Sequence, residues 1–377
     1  MQSKKILLKL SINKIFNKKL KPSSVKLLII SHRYNMKKLE ISNLRRKTVN
    51  FQAQELITTE TLGNSGTLPL IVKPAIDNID LIDWLDSHRD FLAKNLLKYG
   101  AILFRRFNID SPSTFEKFGL AICNQLFNEN GEHPRETVSG KVYTPVFYPP
   151  DRKLLWHNEN SFNHRWPMKI MFGCRQPAQQ GGETPIVDSR KVFQLIDHKI
   201  REIFIEKQVM YVRNYGDGLG LDWQTVFQTH SEAEVEKKCQ QNAINFEWKL
   251  GNNLRTFSIR PAVIKHPQTG ELSWFNQAQH WHPTCLDTIT RESLFTSFKP
   301  EDLPRNCYYG DGTAIEDSVM EEICGVYQQL EVSFPWQQGD VLLLDNILAA
   351  HARNPFVGER KLLVAMGEMT SYKEIGY

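Results

Sequence analysis

The sequence lacks two features that would each place it in a broad class of proteins. No apolar run approaches the ~20 residues that a membrane-spanning helix needs. None of the six cysteines stands in a C-x-x-C pair, and a chain of 377 residues is too long to need disulfide staples. We therefore expect a cytoplasmic protein with no membrane partner and no disulfide framework. The cysteines are interpreted as reduced thiols that serve as small apolar fillers: Cys123, Cys174, Cys239, Cys285, Cys307 and Cys324.

Acidic residues are absent from residues 1–35, which hold nine Lys and Arg. The rest of the chain has 38 basic and 42 acidic residues, so the net charge of +5 arises from this leader. The mildly acidic body gives no reason to expect nucleic-acid binding. The leader also lacks the apolar stretch of a secretory signal and the Ser and Arg content of a transit peptide. We interpret it as a disordered basic arm, or as residues wrongly joined upstream of a start at Met36.

Residues 36–377 are interpreted as a single domain, mainly β with flanking helices. Helical spacing of apolar residues predicts a helix over 80–99, and Ser111-Pro112 is typical of a second helix start. Short apolar or alternating runs predict strands at 68–72, 101–107, 141–147, 168–174, 209–215, 257–264, 341–344 and 362–366. Further helices are expected at 189–206, 231–242, 288–298 and 315–330. This pattern predicts a β-barrel or sandwich with helices packed outside.

His157, Glu159 and His351 form the main candidate site. Residues i and i+2 of a strand point to the same side, so His157 and Glu159 can reach one metal ion while Asn158 points away. A third ligand from a distant strand would complete the two-His-one-carboxylate triad, which holds Fe(II) and leaves positions open for a co-substrate and O₂. By itself an H-x-E triplet is more often a surface His beside a solvated Glu, so the surrounding motifs decide.

Two further segments carry residues that suit a dicarboxylate co-substrate. Gly181-Gly182 permits close approach of backbone to a small ligand, although for the pair alone a hairpin turn is the commoner explanation. Thr184 offers a hydroxyl to a carboxylate oxygen. Arg360 follows His351 by nine residues, and a guanidinium there can clamp a distal carboxylate in a bidentate manner. Arg353 and Lys361 are competing candidates for that clamp.

The order of these motifs resembles the taurine dioxygenase/clavaminate synthase superfamily of Fe(II)- and 2-oxoglutarate-dependent oxygenases, in the subgroup similar to the syringomycin-biosynthesis aspartyl hydroxylase. The resemblance covers roughly residues 65–370. Its motifs are Trp156–Glu159, Trp166-Pro167, Gly181–Pro185, Asp188–Arg190, Gly339-Asp340, His351 and Arg360, with further matches at Tyr211–Tyr215, Phe246–Trp248, Arg260–Val263 and Trp274–Ala278. Many members have Asp where this chain has Glu159, the longer carboxylate being found in the clavaminate-like branch. The interval from His351 to Arg360 is shorter than in many relatives.

The resemblance implies a double-stranded β-helix, or jelly roll. It implies that His157, Glu159 and His351 bind Fe(II), and that Thr184 and Arg360 contact 2-oxoglutarate. Oxidative decarboxylation of 2-oxoglutarate by O₂ then drives hydroxylation of an unactivated C–H bond. Related halogenases lack the carboxylate ligand, so the presence of Glu159 favours hydroxylation.

The subgroup implies an amino acid or amino-acid-derived substrate in secondary-metabolite biosynthesis, either free or held on a peptidyl carrier protein. Arg165 and Arg353 are candidates for a substrate carboxylate, and solvated arginines are the alternative. Residues 216–256 are either a lid or a surface excursion. Two other functions stay open at this point: hydroxylation of a free small amino acid or sulfonate, and non-catalytic sensing of metal or 2-oxoglutarate by a jelly roll.

Overall fold

The computed structural model describes residues 56–62, 68–127, 136–216 and 220–377. The leader at residues 1–35 lies outside these ranges. The strands are β1 Ile57–Thr61, β2 Leu70–Pro74, β3 Ala101–Phe104, β4 Thr137–Ser139, β5 Val142–Tyr143, β6 Leu154–His157, β7 Arg165–Gln176, β8 Gln180–Gly181, β9 Ile186–Asp188, β10 Val209–Tyr215, β11 Asn245–Lys249, β12 Asn253–Arg260, β13 Val263–Lys265, β14 Leu272–Trp274, β15 Arg305–Tyr309, β16 Val341–Asp345, β17 Ala349–Arg353, β18 Phe356–Val357 and β19 Lys361–Ser371.

The α-helices are α1 Leu81–Ser87, α2 Arg89–Tyr99, α3 Pro112–Ile122, α4 Ser189–Leu195, α5 His198–Lys207, α6 Trp223–Phe227, α7 Glu232–Gln241, α8 Ala278–Trp281, α9 Thr288–Ser297 and α10 Asp317–Leu330. Short 3-10 helices lie at Pro283–Cys285 and Pro300–Asp302. Within the described ranges, every helix is too short or too polar to cross a membrane. The expected class, mainly β with flanking helices, is confirmed.

The largest sheet has eight strands in the order β1-β2-β3-β16-β7-β19-β5-β4. Strand β7 is central to it and pairs with β16 on one side and with the long β19 on the other. Only the β2–β3 pair in this sheet is parallel. Because side chains alternate along a strand, the sheet offers a separate apolar surface on each face.

One face of this sheet packs against helices α1, α2 and α3. Leu343 of β16 and Met171 of β7 lie in that core with Phe115 and Phe118 of α3. The opposite face carries Leu342 and Phe172, in a core shared with β9 and β17. A three-stranded sheet, in the order β6-β17-β9, therefore covers the second face.

A third sheet, in the order β11-β12-β10-β15, includes two strands, β11 and β12, that lie wholly or partly in the segment expected to be either a lid or a surface excursion. Helices α6 and α7 pack on it around a small core formed by Tyr215, Trp223, Val235, Cys239 and Leu254. Much of residues 216–256 is thus built from regular elements with a core of their own.

Several expected elements are interrupted, each for a local reason. The helix over 80–99 is two helices, because the His88 ring stacks on Trp84 and its Nδ1 lies 2.6 Å from the Trp84 carbonyl, ending α1. The strand over 257–264 is split by Pro261, which has no N–H to donate to a ladder. The helix over 189–206 is split where Asp197 caps α5 through Lys199 N at 2.8 Å.

One buried ion pair fixes the turn that precedes β16. The Asp340 carboxylate is fully buried and accepts from Arg105 Nη2 at 2.8 Å and from the Gln337 backbone N–H at 2.9 Å. Burial raises the pKa of Asp340, while the bonds from Arg105 and Gln337 lower it. The charged carboxylate therefore depends on Arg105.

Replacing Arg105 with Met should destabilise the chain by about 3–5 kcal/mol, because a buried carboxylate loses its partner. The double replacement Arg105→Met with Asp340→Leu should cost less than the sum of the two single changes. Urea denaturation of the full chain measures all three. Arg89→Met is the matched control: its partner Asp86 is exposed, so the expected loss is below about 1 kcal/mol. Equal effects of Arg105→Met and Arg89→Met would contradict the prediction.

Candidate metal and co-substrate site

The structure brings His157, Glu159 and His351 together. His157 and His351 are direct partners in the antiparallel pairing of β6 with β17, with ring centroids 4.2 Å apart. Glu159 Oε2 lies 3.9 Å from His157 Nε2 and 3.8 Å from His351 Nε2. One ligand atom from each residue falls within 4.8 Å of the others. Two imidazoles and one carboxylate on one side of a centre are the donor set of a facial triad.

Glu159 reaches this centre differently from the expected strand geometry. Strand β6 ends at His157, and Glu159 lies in the turn that follows, next to Asn160 with φ +57°. The turn keeps the carboxylate on the same side as the His157 ring. Asn158 does point away, as expected, into the interior: its amide donates to Asn346 O at 2.7 Å and to Ser189 Oγ at 3.1 Å.

The surroundings of the His157 ring leave one of its nitrogens directed at the centre. Its Nδ1 lies 2.9 Å from the Leu155 carbonyl, which can only accept. The proton is therefore on Nδ1, and Nε2 presents its lone pair towards Glu159 and His351. A backbone carbonyl that fixes the tautomer in this way is a common feature of metal-binding histidines. The three residues thus fit a divalent transition metal in both donor type and orientation.

Asn346 holds the backbone of Glu159 and was given no role on sequence grounds. It is fully buried in the loop between β16 and β17. Its Oδ1 accepts from Glu159 N at 2.7 Å, and its Nδ2 donates to Glu159 O and to Pro167 O, both at 2.9 Å. The short Asp345-Asn346 motif before His351 was the only indication of it in the sequence. One side chain thereby ties the Glu159 turn to the loop that leads to His351.

Helix α8 and the residue before it hold the other side of β6. The contacts are Gln277 Nε2 to Asn158 O at 2.8 Å, Gln279 Nε2 to Trp156 O, and His280 Nε2 to Leu155 O at 2.7 Å. Burial, with a smaller contribution from His157, lowers the pKa of His280 to about 3, so this ring is neutral and donates through Nε2. The family motif at Trp274–Ala278 therefore precedes and overlaps a segment whose hydrogen bonds hold the backbone of β6.

Thr184 and Arg360 lie together, as expected for a co-substrate clamp. Arg360 donates through Nε to Gly182 O at 2.7 Å and through Nη2 to Thr184 Oγ1 at 3.3 Å. Trp336 Nε1 also donates to Thr184 Oγ1, at 3.1 Å. Burial lowers the pKa of Arg360 to about 10, with a further contribution from Arg353, so its guanidinium remains charged at neutral pH.

Gly182 makes room for that arginine, whereas Gly181 makes room for the Pro355 carbonyl. Both have positive φ, +66° and +74°, and strand β8 pairs with the distant β18, so they do not form a hairpin turn between neighbouring strands. A Cβ at Gly182 would lie 3.0 Å from Arg360 Cδ. The close approach here is therefore made by the side chain of Arg360.

The two arginines considered for the substrate lie in different places. Arg353 lines the central cavity, with its guanidinium donating to the carbonyls of Tyr148, Pro149 and Arg152. Arg165 is exposed and is not among the described residues that line this cavity. Lys361, the competitor for the co-substrate clamp, is exposed and pairs with Glu359 at 2.9 Å.

A cavity of about 930 Å³ is lined by Arg353 but, among the described residues, by neither Arg165 nor Lys361. Its described lining includes the three candidate ligands together with Thr184 and Arg360. Apolar side chains supply much of the wall, among them Phe147, Leu155, Phe162, Phe172, Leu221 and Leu286. Six Arg or Lys side chains and only two carboxylates, Glu159 and Asp287, line it within the described ranges. The candidate metal ligands and Arg360 thus line one cavity, in which basic side chains outnumber carboxylates.

Known proteins resemble this chain over most of its length. The sequence model of the protein family described as 'Taurine catabolism dioxygenase TauD, TfdA family' matches residues 64–366. Dapdiamide synthesis protein DdaC of Enterobacter agglomerans is 39% identical over 287 residues, which are 76% of this chain and 87% of that protein. A clavaminate synthase-like protein of Arabidopsis thaliana is 28% identical over 316 residues, covering 80% and 91% of the two chains.

Among solved structures, the PvcB protein from Pseudomonas aeruginosa is similar with a TM-score of 0.50 and 13% identity. The overlay covers 84% of this chain and 93% of that one. At that identity the likeness concerns the fold alone.

Replacing Asn346 with Asp should weaken Mn(II) binding by roughly 10–100-fold, the range seen when groups supporting metal ligands are lost. The carboxylate can still accept from Glu159 N, but it cannot donate to Glu159 O. Calorimetric titration of the full chain with Mn(II) measures the affinity, and thermal melting reports the fold. The control is Asn306→Asp, another buried asparagine with a similar bonding pattern that lies outside the cavity lining. A similar loss in both variants would assign the effect to general destabilisation.

Proposed function

This chain belongs to the TauD/TfdA family of dioxygenases, and from that premise we propose that it hydroxylates an unactivated C–H bond of an amino acid or amino-acid-derived substrate. It is a dioxygenase that uses Fe(II), 2-oxoglutarate and O₂. Bound Fe(II) supplies the activation of O₂ that couples decarboxylation of 2-oxoglutarate to oxidation of the substrate. The protein supplies the ligands, the orientation of both substrates and a chamber that limits access of water.

His157, Glu159 and His351 are proposed as the three protein ligands of the iron. The support is their mutual geometry and the number of contacts that hold it. The Nδ1–H of His157 donates a hydrogen bond to Leu155 O, and this leaves Nε2 directed at the centre. The His351 ring packs 5.0 Å from the Phe172 ring, which fixes it from the side of the large sheet. Three protein ligands on one side leave the cavity side for exchangeable ligands.

Arg360 and Thr184 are proposed to bind the distal carboxylate of 2-oxoglutarate. A buried guanidinium that stays charged forms strong, charge-assisted bonds with a carboxylate. Thr184 Oγ1 already accepts from Arg360 and Trp336, so its own proton is available for donation to an oxygen of the ligand. The single observation that carries the proposed function is that this pair and the triad line the same cavity.

The fold is proposed to be a double-stranded β-helix. The large sheet and the β6-β17-β9 sheet face each other across a shared apolar core. The smaller sheet carries His157 and His351, and Glu159 lies in the turn after β6. Ligand sites at the mouth of a barrel or between two sheets are typical of such architectures.

The cavity favours a substrate larger than one free amino acid. Its volume of about 930 Å³ lies near the top of the range for drug-sized ligands, ~300–1,000 Å³. Its positive lining attracts anions. We therefore favour an amino acid tethered to a peptidyl carrier protein, and we favour Arg353 over Arg165 as a contact for an acidic substrate group because Arg353 lines the cavity. The relative named as a dapdiamide synthesis protein is consistent with a biosynthetic role.

Anaerobic addition of Fe(II) and then 2-oxoglutarate to the full chain should produce the visible charge-transfer band of the chelate. His157→Ala and His351→Ala should abolish the band, because a ligand is lost, while thermal melting shows an intact fold. A folded wild-type protein that develops no band would contradict the proposed site.

The same titration separates the co-substrate residue from the metal ligands. Arg360→Gln should raise the apparent Kd for 2-oxoglutarate by roughly 10–100-fold, the equivalent of losing a hydrogen bond to a charged group. Its Mn(II) affinity should stay near that of wild type. Lys361→Gln, one residue along and exposed, is the control and should leave both affinities unchanged.

Mass spectrometry of turnover mixtures tests the substrate. Amino acids loaded as thioesters on a peptidyl carrier protein should gain the mass of one oxygen atom, with stoichiometric succinate, and the free amino acids should not. Turnover of free amino acids or small sulfonates alone would favour the alternative hydroxylase. A normal charge-transfer band with no turnover in any arm would refute the substrate class and leave the sensor function as the better explanation.

A further inference from the structure

Two of the six cysteines lie in direct contact. Cys285 ends the 3-10 helix Pro283–Cys285, Cys324 lies on α10, and their sulfurs are 3.6 Å apart. Both are half-buried. The other four are fully buried and fit the expected role as apolar fillers: Cys123, Cys174, Cys239 and Cys307. The Cys285–Cys324 pair does not fit that role.

The pair lies at the boundary between the cavity and α10. Cys285 itself lines the cavity, and so do residues of the segment that follows it, including Leu286 and Thr290. This segment is also tied to the start of α10, where Asp317 accepts from Thr284 and Arg291. The two sulfurs are therefore held between elements that are already anchored to each other, and small molecules can approach Cys285 from the chamber.

The two thiols are electronically different. The hydrogen bond between them lowers the pKa of Cys324 and raises that of Cys285, which burial raises further. The thiolate is the form of cysteine that reacts with oxidants, and the contact between the two sulfurs places the second thiol beside the first.

We propose that Cys285 and Cys324 are an oxidation site at which a hydroperoxide converts the two thiols into an intramolecular disulfide. The Cys324 thiolate attacks an oxygen of hydrogen peroxide, the O–O bond breaks, and the leaving hydroxide takes up a proton to form water. The resulting sulfenic acid is attacked by the Cys285 sulfur, so that an S–S bond forms and the S–O bond breaks. The Cys285 proton leaves with the second water. One peroxide is reduced, and two thiols are oxidised.

The disulfide would alter one wall of the cavity. An S–S bond is ~2.05 Å long, so the sulfurs must approach by about 1.5 Å. The segment carrying Cys285, Leu286 and Thr290 would become covalently fixed to α10. The proposal does not depend on the proposed substrate or on bound iron.

Peptide mapping tests the site directly. Metal-free full chain is reduced, freed of reductant, treated with hydrogen peroxide, alkylated with N-ethylmaleimide and digested after Arg and Glu. Cleavage after Glu322 separates Cys324 from Cys307, which otherwise share a tryptic peptide. The expected product is the Cys285–Cys324 cross-linked peptide in most of the protein, reversed by dithiothreitol and accompanied by a reversible rise in Tm.

Two variants serve as controls. Cys324→Ser should remove the cross-link and leave Cys285 open to alkylation, whereas Cys239→Ser, a single buried thiol, should retain the cross-link. Both cysteines alkylated in peroxide-treated, folded wild-type protein would overturn the proposal. So would a cross-link that pairs either residue mainly with Cys307. Because the wild-type map decides the question, a Cys324→Ser chain that fails to fold leaves the test intact.

Discussion

The antiparallel pairing of β6 with β17 is the constraint on which the site depends. In this register His157 and His351 are direct partners, so the backbone ladder itself sets the distance between two candidate ligands. A slip of one residue would turn one imidazole to the opposite face. Contacts outside the ladder hold this register. Asn346 forms hydrogen bonds with the backbone N–H and C=O of Glu159. Gln277 and two residues of α8 donate hydrogen bonds to three carbonyls, two in β6 and one just beyond it. The geometry of the site is therefore a property of buried backbone hydrogen bonds as much as of the ligands.

The same principle governs the arginine clamp. A buried guanidinium is costly unless its donors are used. Arg360 meets this cost with Gly182 O and Thr184 Oγ1, two uncharged acceptors that leave its positive charge uncompensated towards the cavity. Gly182 can accept so closely because it has no side chain to collide with the arginine. Gly182, Thr184 and Arg360 thus act together to place one positive charge in the interior.

Local patterns in the sequence predicted eight strands, each of which overlaps a strand of the fold, and they singled out the candidate ligands and clamp residues that the structure brings together. The strand at 209–215 has the expected bounds, and the Ser111 cap begins α3 as predicted. The misses have a common cause, which is that they depend on partners far away in the chain. Asn346 acts through the backbone of Glu159 and Pro167, and His280 acts through the backbone of Leu155. Only the short Asp345-Asn346 motif gave a local indication of either residue. The contact between Cys285 and Cys324 is likewise set by the packing of a 3-10 helix on α10, which spacing in sequence does not encode.

Because the eight-stranded sheet has two buried faces, adjacent residues of one strand pack into different cores. Leu343 packs towards α1–α3, while its neighbour Leu342 packs towards the sheet that carries the ligands. Substitutions at neighbouring positions of one strand can therefore have different effects. Replacements on the helical side change how firmly the scaffold holds together, and those on the other side reach the catalytic chamber within one layer of contacts. A lineage can thus adjust its thermal tolerance on one face while the chemistry on the other is inherited unchanged.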